Sequence, residues 1–258
     1  MEYIHYFETN SAFTEEYEGE DYKEPWVSYT VQNQKVDYNK VPAPSCYVDL
    51  GLPSGTLWAC SNLGTDDPHE VGDFYAWGEI VPNKASYTWE NYRFGPETAL
   101  TKYNDTDGKT ILDPKDDAVR LEYPEWHMPT SEQIDELLEY TTIETPIDSQ
   151  HNYYDLDTDG TNYWITFKSK QNNNILTMAV DYELYQGLCG MGVGYEGAVL
   201  TWCNEVYEWG NYKASGVCLP CEHDVAIYYT DRFRRAPIRP VYGDGPAPNN
   251  GIEEADMA

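Results

Sequence analysis

Residues 47–59, Tyr-Val-Asp-Leu-Gly-Leu-Pro-Ser-Gly-Thr-Leu-Trp-Ala, are the stretch that decides how the main domain is built. Two short apolar runs stand on either side of residues 52–56, whose proline and glycine mark a turn because proline fixes its own φ angle and glycine tolerates unusual ones. Trp58, which follows the turn, is large enough to anchor a core, and so is Trp77 further along the chain. The stretch therefore predicts two strands joined by a tight turn and packed on a core.

Most of the remaining sequence predicts short strands with few helices. One helix is strongly indicated after Thr130, because Thr130 and Gln133 have the spacing of a capping box and apolar residues then recur on one helical face. A weaker helix is predicted from Pro114 to Leu121. Strands are predicted at residues 163–168, 174–180, 198–202, 225–229 and 238–241.

The order of these segments predicts one main domain with a smaller part at each end. Residues 1–40 predict a helix and a β-hairpin that form a small attachment or oligomerisation unit, because such a hairpin is only marginally stable by itself. Residues 41–45 form a proline-rich linker, which is stiff and extended. The main domain covers residues 46–242, and residues 243–258 predict a disordered acidic tail because they contain almost nothing to bury.

The charge of the chain excludes several kinds of partner. Its 258 residues include 45 acidic and 16 basic side chains, which give a formal net charge of −29 at pH 7. Such a surface repels phosphate backbones and anionic lipid headgroups, so we expect no nucleic-acid partner. The sequence has no run of about 18 apolar residues, so we expect no membrane insertion. The first residues lack the basic start and apolar run of a secretory signal, and we expect a location on a virion or an extracellular surface without a signal peptide in this chain.

Further landmarks follow residues 47–59 in a fixed order. They are Gly-Asp-Phe-Tyr-Ala-Trp-Gly-Glu at 72–79, Asp-Asp-Ala at 116–118, Trp-His-Met-Pro-Thr at 126–130 and Ile-Arg-Pro-Val at 238–241. Together these motifs resemble the Fibrobacter major paralogous domain family, and the resemblance covers residues 46–242. It implies an α+β fold of the C-type lectin type, with mixed, mostly antiparallel sheets, a few helices and long C-terminal loops. His127 stands where the family usually has Arg, a difference that concerns one local ion pair.

The segment 201–235 contains the side chains best suited to a ligand surface. Tyrosine and tryptophan rings alternate there with amide, acidic and guanidinium groups, a combination typical of paratopes and sugar sites. Gly210 and Gly216 bracket a predicted exposed loop. The alternative is that part of the region is buried and its arginines neutralise acids, an interpretation that we prefer for Trp202 and Arg239. The predicted ligand-binding residues are Asn204, Tyr207, Trp209, Asn211, Tyr212, His223, Tyr228, Tyr229, Asp231, Arg232 and Arg234.

The same segment resembles the variable region of the target proteins of diversity-generating retroelements. This resemblance implies a non-enzymatic protein whose variable aromatic surface binds a cell-surface protein or glycan. Residues 24–30 and 36–39 are also similar to the openings of structural proteins from phages of gut bacteria. We therefore expect a virion receptor-binding or decoration protein that forms a homo-oligomer or joins a larger particle. A secreted bacterial surface adhesin and a purely architectural particle component are the alternatives.

The six cysteines predict free thiols, because they are too sparse for a disulfide framework in a chain of this length. Cys218 and Cys221 form a lone C-x-x-C with no second pair at zinc-ligand spacing, so we expect no metal and no other cofactor. The remaining enzymatic alternative is a copper oxidase of the formylglycine-generating type, which shares the lectin fold. It would need Cys203 next to Cys218 or Cys221.

Two acidic segments resemble calcium-binding loops. Residues 155–160 place carboxylates at alternate positions before a glycine, but Thr166 stands at the twelfth position, where an EF-hand loop needs Glu. Residues 104–108 have a similar composition. We interpret both segments as Asp/Gly turns, and calcium-dependent sugar binding is not predicted.

Overall fold

A computed structural model describes residues 44–144, 163–180, 198–207, 210–219 and 225–245 of the chain. The chain divides into two units, Met1–Val41 and Pro42–Ala258, and all the described residues belong to the second unit. The predicted N-terminal unit and the part of the predicted tail beyond residue 245 lie outside the described residues.

The described residues form an α+β fold with two α-helices and three small antiparallel sheets. The helices are α1 (Ala118–Glu122) and α2 (Ser131–Tyr140). The strands are β1 (Tyr47–Asp49), β2 (Leu57–Ala59), β3 (Thr141–Glu144), β4 (Tyr163–Ser169), β5 (Ile175–Val180), β6 (Ala198–Val206), β7 (Lys213–Leu219), β8 (Ala226–Asp231) and β9 (Val241–Tyr242). The order across the sheets is β1-β2-β9, β3-β4-β5 and β6-β7-β8.

The sheet β1-β2-β9 confirms the pair of strands predicted from residues 47–59. β2 lies in the middle, and its Trp58 is paired on one side with β1 and on the other with β9. Gly55 closes the turn with φ +75° and donates its backbone N–H to the Leu52 carbonyl at 2.9 Å. Because β9 is the last described strand, the first and last strands of the fold are held on either side of β2.

Cys46 and Cys60 form a disulfide across the β1–β2 pair, so the prediction of six free thiols is wrong. Cys46 comes directly before β1 and Cys60 directly after β2, and the antiparallel register aligns Tyr47 with Ala59. The two Cα atoms are therefore only 5.4 Å apart, within the usual range for a disulfide. The number of cysteines cannot reveal this bond, because the bond depends on the register of the two strands.

The core consists of two groups of buried side chains. One group surrounds Trp77 and Trp202, and the other contains Trp58 and lies beside α2. Trp58 and Trp77 are completely buried, which confirms them as anchors. Trp202 and Arg239 are also completely buried, as expected for scaffold residues.

Helix α2 begins where the capping box predicts it. The Thr130 hydroxyl accepts a hydrogen bond from the Gln133 N–H at 3.2 Å, and the Gln133 amide oxygen accepts one from the Thr130 N–H at 3.0 Å. These bonds satisfy two backbone donors that the first turn of a helix would otherwise leave unpaired. Ile134 and Leu137 on the inner face are completely buried, so α2 is fixed both at its start and along one side.

Two other predicted elements differ from the observed ones in length. The weak helix is split into a 3₁₀ turn, Pro114–Asp116, and α1, because the Asp117 carboxylate accepts the Val119 N–H and starts a new helix. The final strand is reduced to Val241–Tyr242, since the preceding Pro240 has no N–H to donate.

His127 connects the end of the fold to the segment before α2. Its Nδ1 lies 2.7 Å from the Met128 carbonyl oxygen, and its Nε2 lies 2.9 Å from the Gly243 carbonyl oxygen. Both ring nitrogens therefore lie within hydrogen-bond distance of a backbone carbonyl oxygen. The His127 ring thus bridges the segment before α2 and the segment after β9.

Candidate ligand-binding surface

The segment predicted as an open loop is a tight hairpin between β6 and β7. Tyr207 donates its N–H to the Lys213 carbonyl at 3.0 Å, and Lys213 donates its own N–H to the Gly210 carbonyl at 2.9 Å. Gly216 does not bracket a loop, because it lies within β7 and is buried. A Cβ atom at Gly216 would lie 3.0 Å from the Thr201 carbonyl oxygen, so this glycine allows β6 and β7 to pack closely.

Three tyrosines around this hairpin form one surface. The rings of Tyr207 and Tyr229 have centroids 4.2 Å apart and planes tilted by 32°. Tyr229 is 43% exposed, whereas Tyr207 and Tyr212 are half-buried. A Cβ atom at Gly210 would lie 3.1 Å from the Tyr212 ring and 3.4 Å from the Tyr207 ring, so both rings rest beside the Gly210 backbone. We call Tyr207, Tyr212 and Tyr229 the tyrosine surface.

Glu205 lies beside the tyrosine surface, at the start of α2. Its Oε2 accepts hydrogen bonds from the Ser131 N–H at 3.1 Å and from the Ser131 hydroxyl. Its backbone carbonyl accepts the Ser215 hydroxyl at 3.1 Å, and Ser215 is the cross-strand partner of Tyr229. Glu205, Tyr229 and the first turn of α2 are therefore neighbours.

Burial raises the pKa of Glu205; the hydrogen bond from the Ser131 hydroxyl opposes this shift, and the nearby Glu132 carboxylate adds to it. Glu205 and Ser131 are not among the residues predicted from the sequence. Glu205 lies on β6 and Tyr207 follows the end of that strand, and a spacing of two positions in extended chain puts both side chains on one face. Strand alternation was thus the signal that could have found Glu205.

Arg232 does not belong to this surface, and the prediction that it contacts a ligand is wrong. Its side chain is completely buried. The guanidinium carbon lies 4.7 Å from the centre of the Trp77 ring, and three further rings, of Tyr92, Phe94 and Tyr103, have centres within 5.7 Å of it. The buried position of Arg232 cannot be predicted from the local sequence, because these rings come from a distant part of the chain.

The Arg232 guanidinium holds the hairpin from inside the protein. Its Nη1 donates to the carbonyls of Tyr103 at 3.0 Å and Asn211 at 2.8 Å, its Nη2 to the Lys102 carbonyl at 3.1 Å, and its Nε to the Tyr92 hydroxyl at 3.0 Å. A charged donor strengthens each of these bonds. The hairpin turn is therefore fixed to the segment around Tyr103.

Tyr228, Asp231 and Arg234 are each half-buried. Successive residues of a strand face opposite sides. Tyr228 accordingly packs against the buried group around Trp77, whereas Tyr229 faces outward. Arg234 Nε and Asp231 Oδ2 are 3.8 Å apart, which is a weak pairing.

Asn204 has a structural role through its backbone. Its N–H donates to the Pro129 carbonyl and its carbonyl accepts the Leu112 N–H, each at 2.9 Å. Trp209 and His223 lie outside the described residues.

The 104–108 loop supports the hairpin from the other side. The Asn211 amide donates to Asp105 Oδ1 at 2.9 Å. The Asp107 carboxylate accepts three backbone N–H groups, from Tyr103, Asn104 and Lys109, at 2.8 to 3.1 Å. Burial acts to raise the pKa of Asp107, but these donors outweigh it and the pKa is lowered. The Asp107 carboxylate therefore stabilises the loop through its backbone hydrogen bonds. The other acidic segment, residues 155–160, lies outside the described residues.

No family model, curated protein or solved structure matches the chain. The role of the tyrosine surface is therefore inferred from the residues that form it. Within the described ranges, no three His, Cys, Asp or Glu side chains are close enough together to hold a metal ion. No helix of the same ranges is long and apolar enough to cross a bilayer.

The strand register separates one of the two cysteine pairs that a copper oxidase would need. Cys218 is paired with Val199, and Cys203 is four positions further along β6. At the rise of a strand this spacing puts the two backbone positions about 10 Å or more apart. The other pair involves Cys221, which lies outside the described residues.

Proposed function

We propose that this protein is a non-enzymatic receptor-binding or decoration protein of a phage virion, and that the tyrosine surface contacts a protein or glycan on the target cell. The observation that carries the proposal is the Tyr207–Tyr229 pair, with centroids 4.2 Å apart and Tyr229 43% exposed. Tyrosine offers a large contact area together with a polar hydroxyl, and it loses little conformational entropy on binding.

The rigidity of the surface supports a binding role. Tyr207 is held by the hairpin hydrogen bonds, and the turn is held by the buried Arg232 through the Asn211 carbonyl. A preorganised surface binds more tightly than a mobile one, because less entropy is lost on association.

The proposal includes the C-type lectin fold for the main domain. Its support is the pairing of the first and last strands with β2, the presence of two helices, and the position of the tyrosine surface on strands from the second half of the chain. A frame in which the first and last described strands flank β2 leaves the sheet β6-β7-β8 available for recognition.

A secreted bacterial adhesin is the second candidate, and it would use the same surface. The Cys46–Cys60 disulfide favours an oxidising location outside the cell, in agreement with both candidates. In either case we propose that the protein acts as a homo-oligomer or in a larger particle, because several weak contacts on one assembly increase overall affinity.

Adsorption of the labelled full-length chain to cells from a panel of gut bacteria tests the proposal. Tyr229→Ala is expected to weaken adsorption roughly 30-fold, since truncation of an aromatic hot spot costs about 2 kcal/mol. Tyr242→Ala is the matched control, because Tyr242 is also 43% exposed but lies on β9. Unchanged adsorption of a folded Tyr229→Ala variant, or no adsorption of the wild-type chain to any strain, would reject the proposal.

The architectural alternative gives a different result in the same series. If the tyrosine surface contacts neighbouring subunits, Tyr229→Ala will reduce incorporation into particles instead of adsorption to cells. Sedimentation of assembled particles separates the two outcomes.

A further inference from the structure

The tyrosine surface has acidic surroundings. Glu205 lies beside it, and Glu132 in the first turn of α2 is close enough to Glu205 to raise its pKa. Asp231 follows Tyr229 by two positions on the same face of β8, and its cross-strand partner is Lys213. Carboxylates therefore outnumber cations on this face among the described residues near the two rings.

Contacts between a guanidinium group and an aromatic ring occur several times within the fold itself. Arg232 lies 4.7 Å from the centre of Trp77, and Arg235 lies 4.5 Å from the centre of Phe74. A cation over a ring face is attracted by the electron density of the ring, and arginine does this more often than lysine. The exposed Tyr229 ring and the carboxylates near it present an aromatic face and negative charge to a guanidinium group of a ligand.

We propose that the tyrosine surface binds an arginine-bearing, basic segment of a partner protein, with a guanidinium stacked on Tyr229 and hydrogen-bonded to the carboxylates of Glu132 and Glu205. This inference rests on the proposed function and names the class of its ligand. Planar guanidinium groups fit carboxylates through two parallel hydrogen bonds, whereas an ammonium group acts as a point charge.

The charge of the whole chain supports a basic partner over other occupants. A net charge of −29 repels anionic cell-envelope polymers and also a second copy of the chain. The same charge attracts a basic surface and accelerates its association at low salt. A positively charged protein segment is the occupant that both the long-range field and the local carboxylates favour.

The test uses two fluorescein-labelled peptides and the full-length chain. The first peptide is Gly-Ser-Arg-Tyr-Arg-Ser-Gly, and the second has citrulline, a neutral isostere, in place of each arginine. Fluorescence anisotropy is expected to show saturable binding of the arginine peptide and at least tenfold weaker binding of the citrulline peptide. Equal binding of the two peptides, or no saturation by the arginine peptide below about 1 mM, overturns the inference.

Charge-neutralising variants separate this site from general attraction to an acidic protein. Glu132→Gln and Glu205→Gln are each expected to weaken binding of the arginine peptide about fivefold or more, because each removes a carboxylate of the proposed site. Glu122→Gln, an exposed carboxylate on α1, removes the same charge and is expected to have less than a twofold effect. Equal effects of Glu132→Gln and Glu122→Gln would mean unspecific attraction and would refute the site.

The same variants distinguish failure of this inference from failure of the proposed function. Loss of cell adsorption in Tyr229→Ala together with normal adsorption in Glu132→Gln would leave a binding surface whose partner is not basic. Normal adsorption in Tyr229→Ala would remove both proposals. Concentration-dependent dimerisation that disappears in Tyr229→Ala would assign the surface to a second copy of the chain and overturn the basic-partner inference.

Discussion

Replacing Arg232 with methionine tests the internal support of the tyrosine surface. The substitution keeps a long apolar side chain but removes the four hydrogen bonds that the guanidinium donates. Each hydrogen bond to a charged group contributes about 1.5 to 3 kcal/mol, but such bonds in one network are not additive. The substitution leaves four acceptors around the buried side chain without this donor, and each unsatisfied buried polar group costs about 1 to 3 kcal/mol. We therefore expect Arg232→Met to lower the free energy of unfolding by about 3 to 5 kcal/mol.

Urea unfolding followed by tryptophan fluorescence measures this loss. Arg234→Met is the matched control, because the Arg234 side chain is 32% exposed and its pairing with Asp231 is weak at 3.8 Å. It is expected to change the free energy of unfolding by less than about 1 kcal/mol. A loss below about 1 kcal/mol in Arg232→Met would refute the view that Arg232 fixes the hairpin, since three backbone carbonyls would then have lost their donor at no cost.

Three further predictions concern other parts of the fold. Replacing Cys46 and Cys60 together with serine is expected to lower the free energy of unfolding by about 2 to 3 kcal/mol, as measured by urea unfolding, because the bond closes a short loop. Since the folded state raises the pKa of Glu205, its charge destabilises the fold at neutral pH, and this penalty is relieved as the pH falls through the raised pKa toward the ordinary value. Glu205→Gln should therefore increase the Tm at pH 7 more than at pH 4.5, and an equal change at both would contradict this. Gly72→Ala is expected to cost more than about 2 kcal/mol, measured by thermal unfolding, because Gly72 has φ +74° and a Cβ atom would lie 2.3 Å from the Leu63 carbonyl oxygen.

Local patterns predicted the parts of the fold that depend on nearby residues. The capping box at Thr130 and Gln133 is a four-residue signal, and the structure begins α2 at that point. The turn before Trp58 is likewise decided by neighbouring proline and glycine residues. Both features follow from backbone geometry over a few positions, so one sequence contains enough information to find them.

Features that join distant segments could not be predicted in the same way. Arg232 looks like a surface residue in a basic cluster, and only the packing of Trp77 and Tyr103 around it makes it an interior one. The Cys46–Cys60 bond depends on register, and Glu205 becomes part of the candidate site only because α2 places Ser131 against β6. These contacts join residues that are far apart in the sequence, so neither local patterns nor composition predicts them.

The Cys46–Cys60 bond also determines how the fold would respond to mechanical tension. Cys46 and Cys60 lie at one end of the β1–β2 pair, whereas the chain leaves β9 at the opposite end of β2, because Tyr242 is paired with Leu57. A pull on the segment before Cys46 would pass through the covalent bond to the end of β2 and bypass the hydrogen bonds of β1. Because β2 and β9 are antiparallel, the force would shear the two strands against each other and load the contacts between them at the same time. A protein attached at one end and stretched at the other would thus resist through its central strand before any edge peels away.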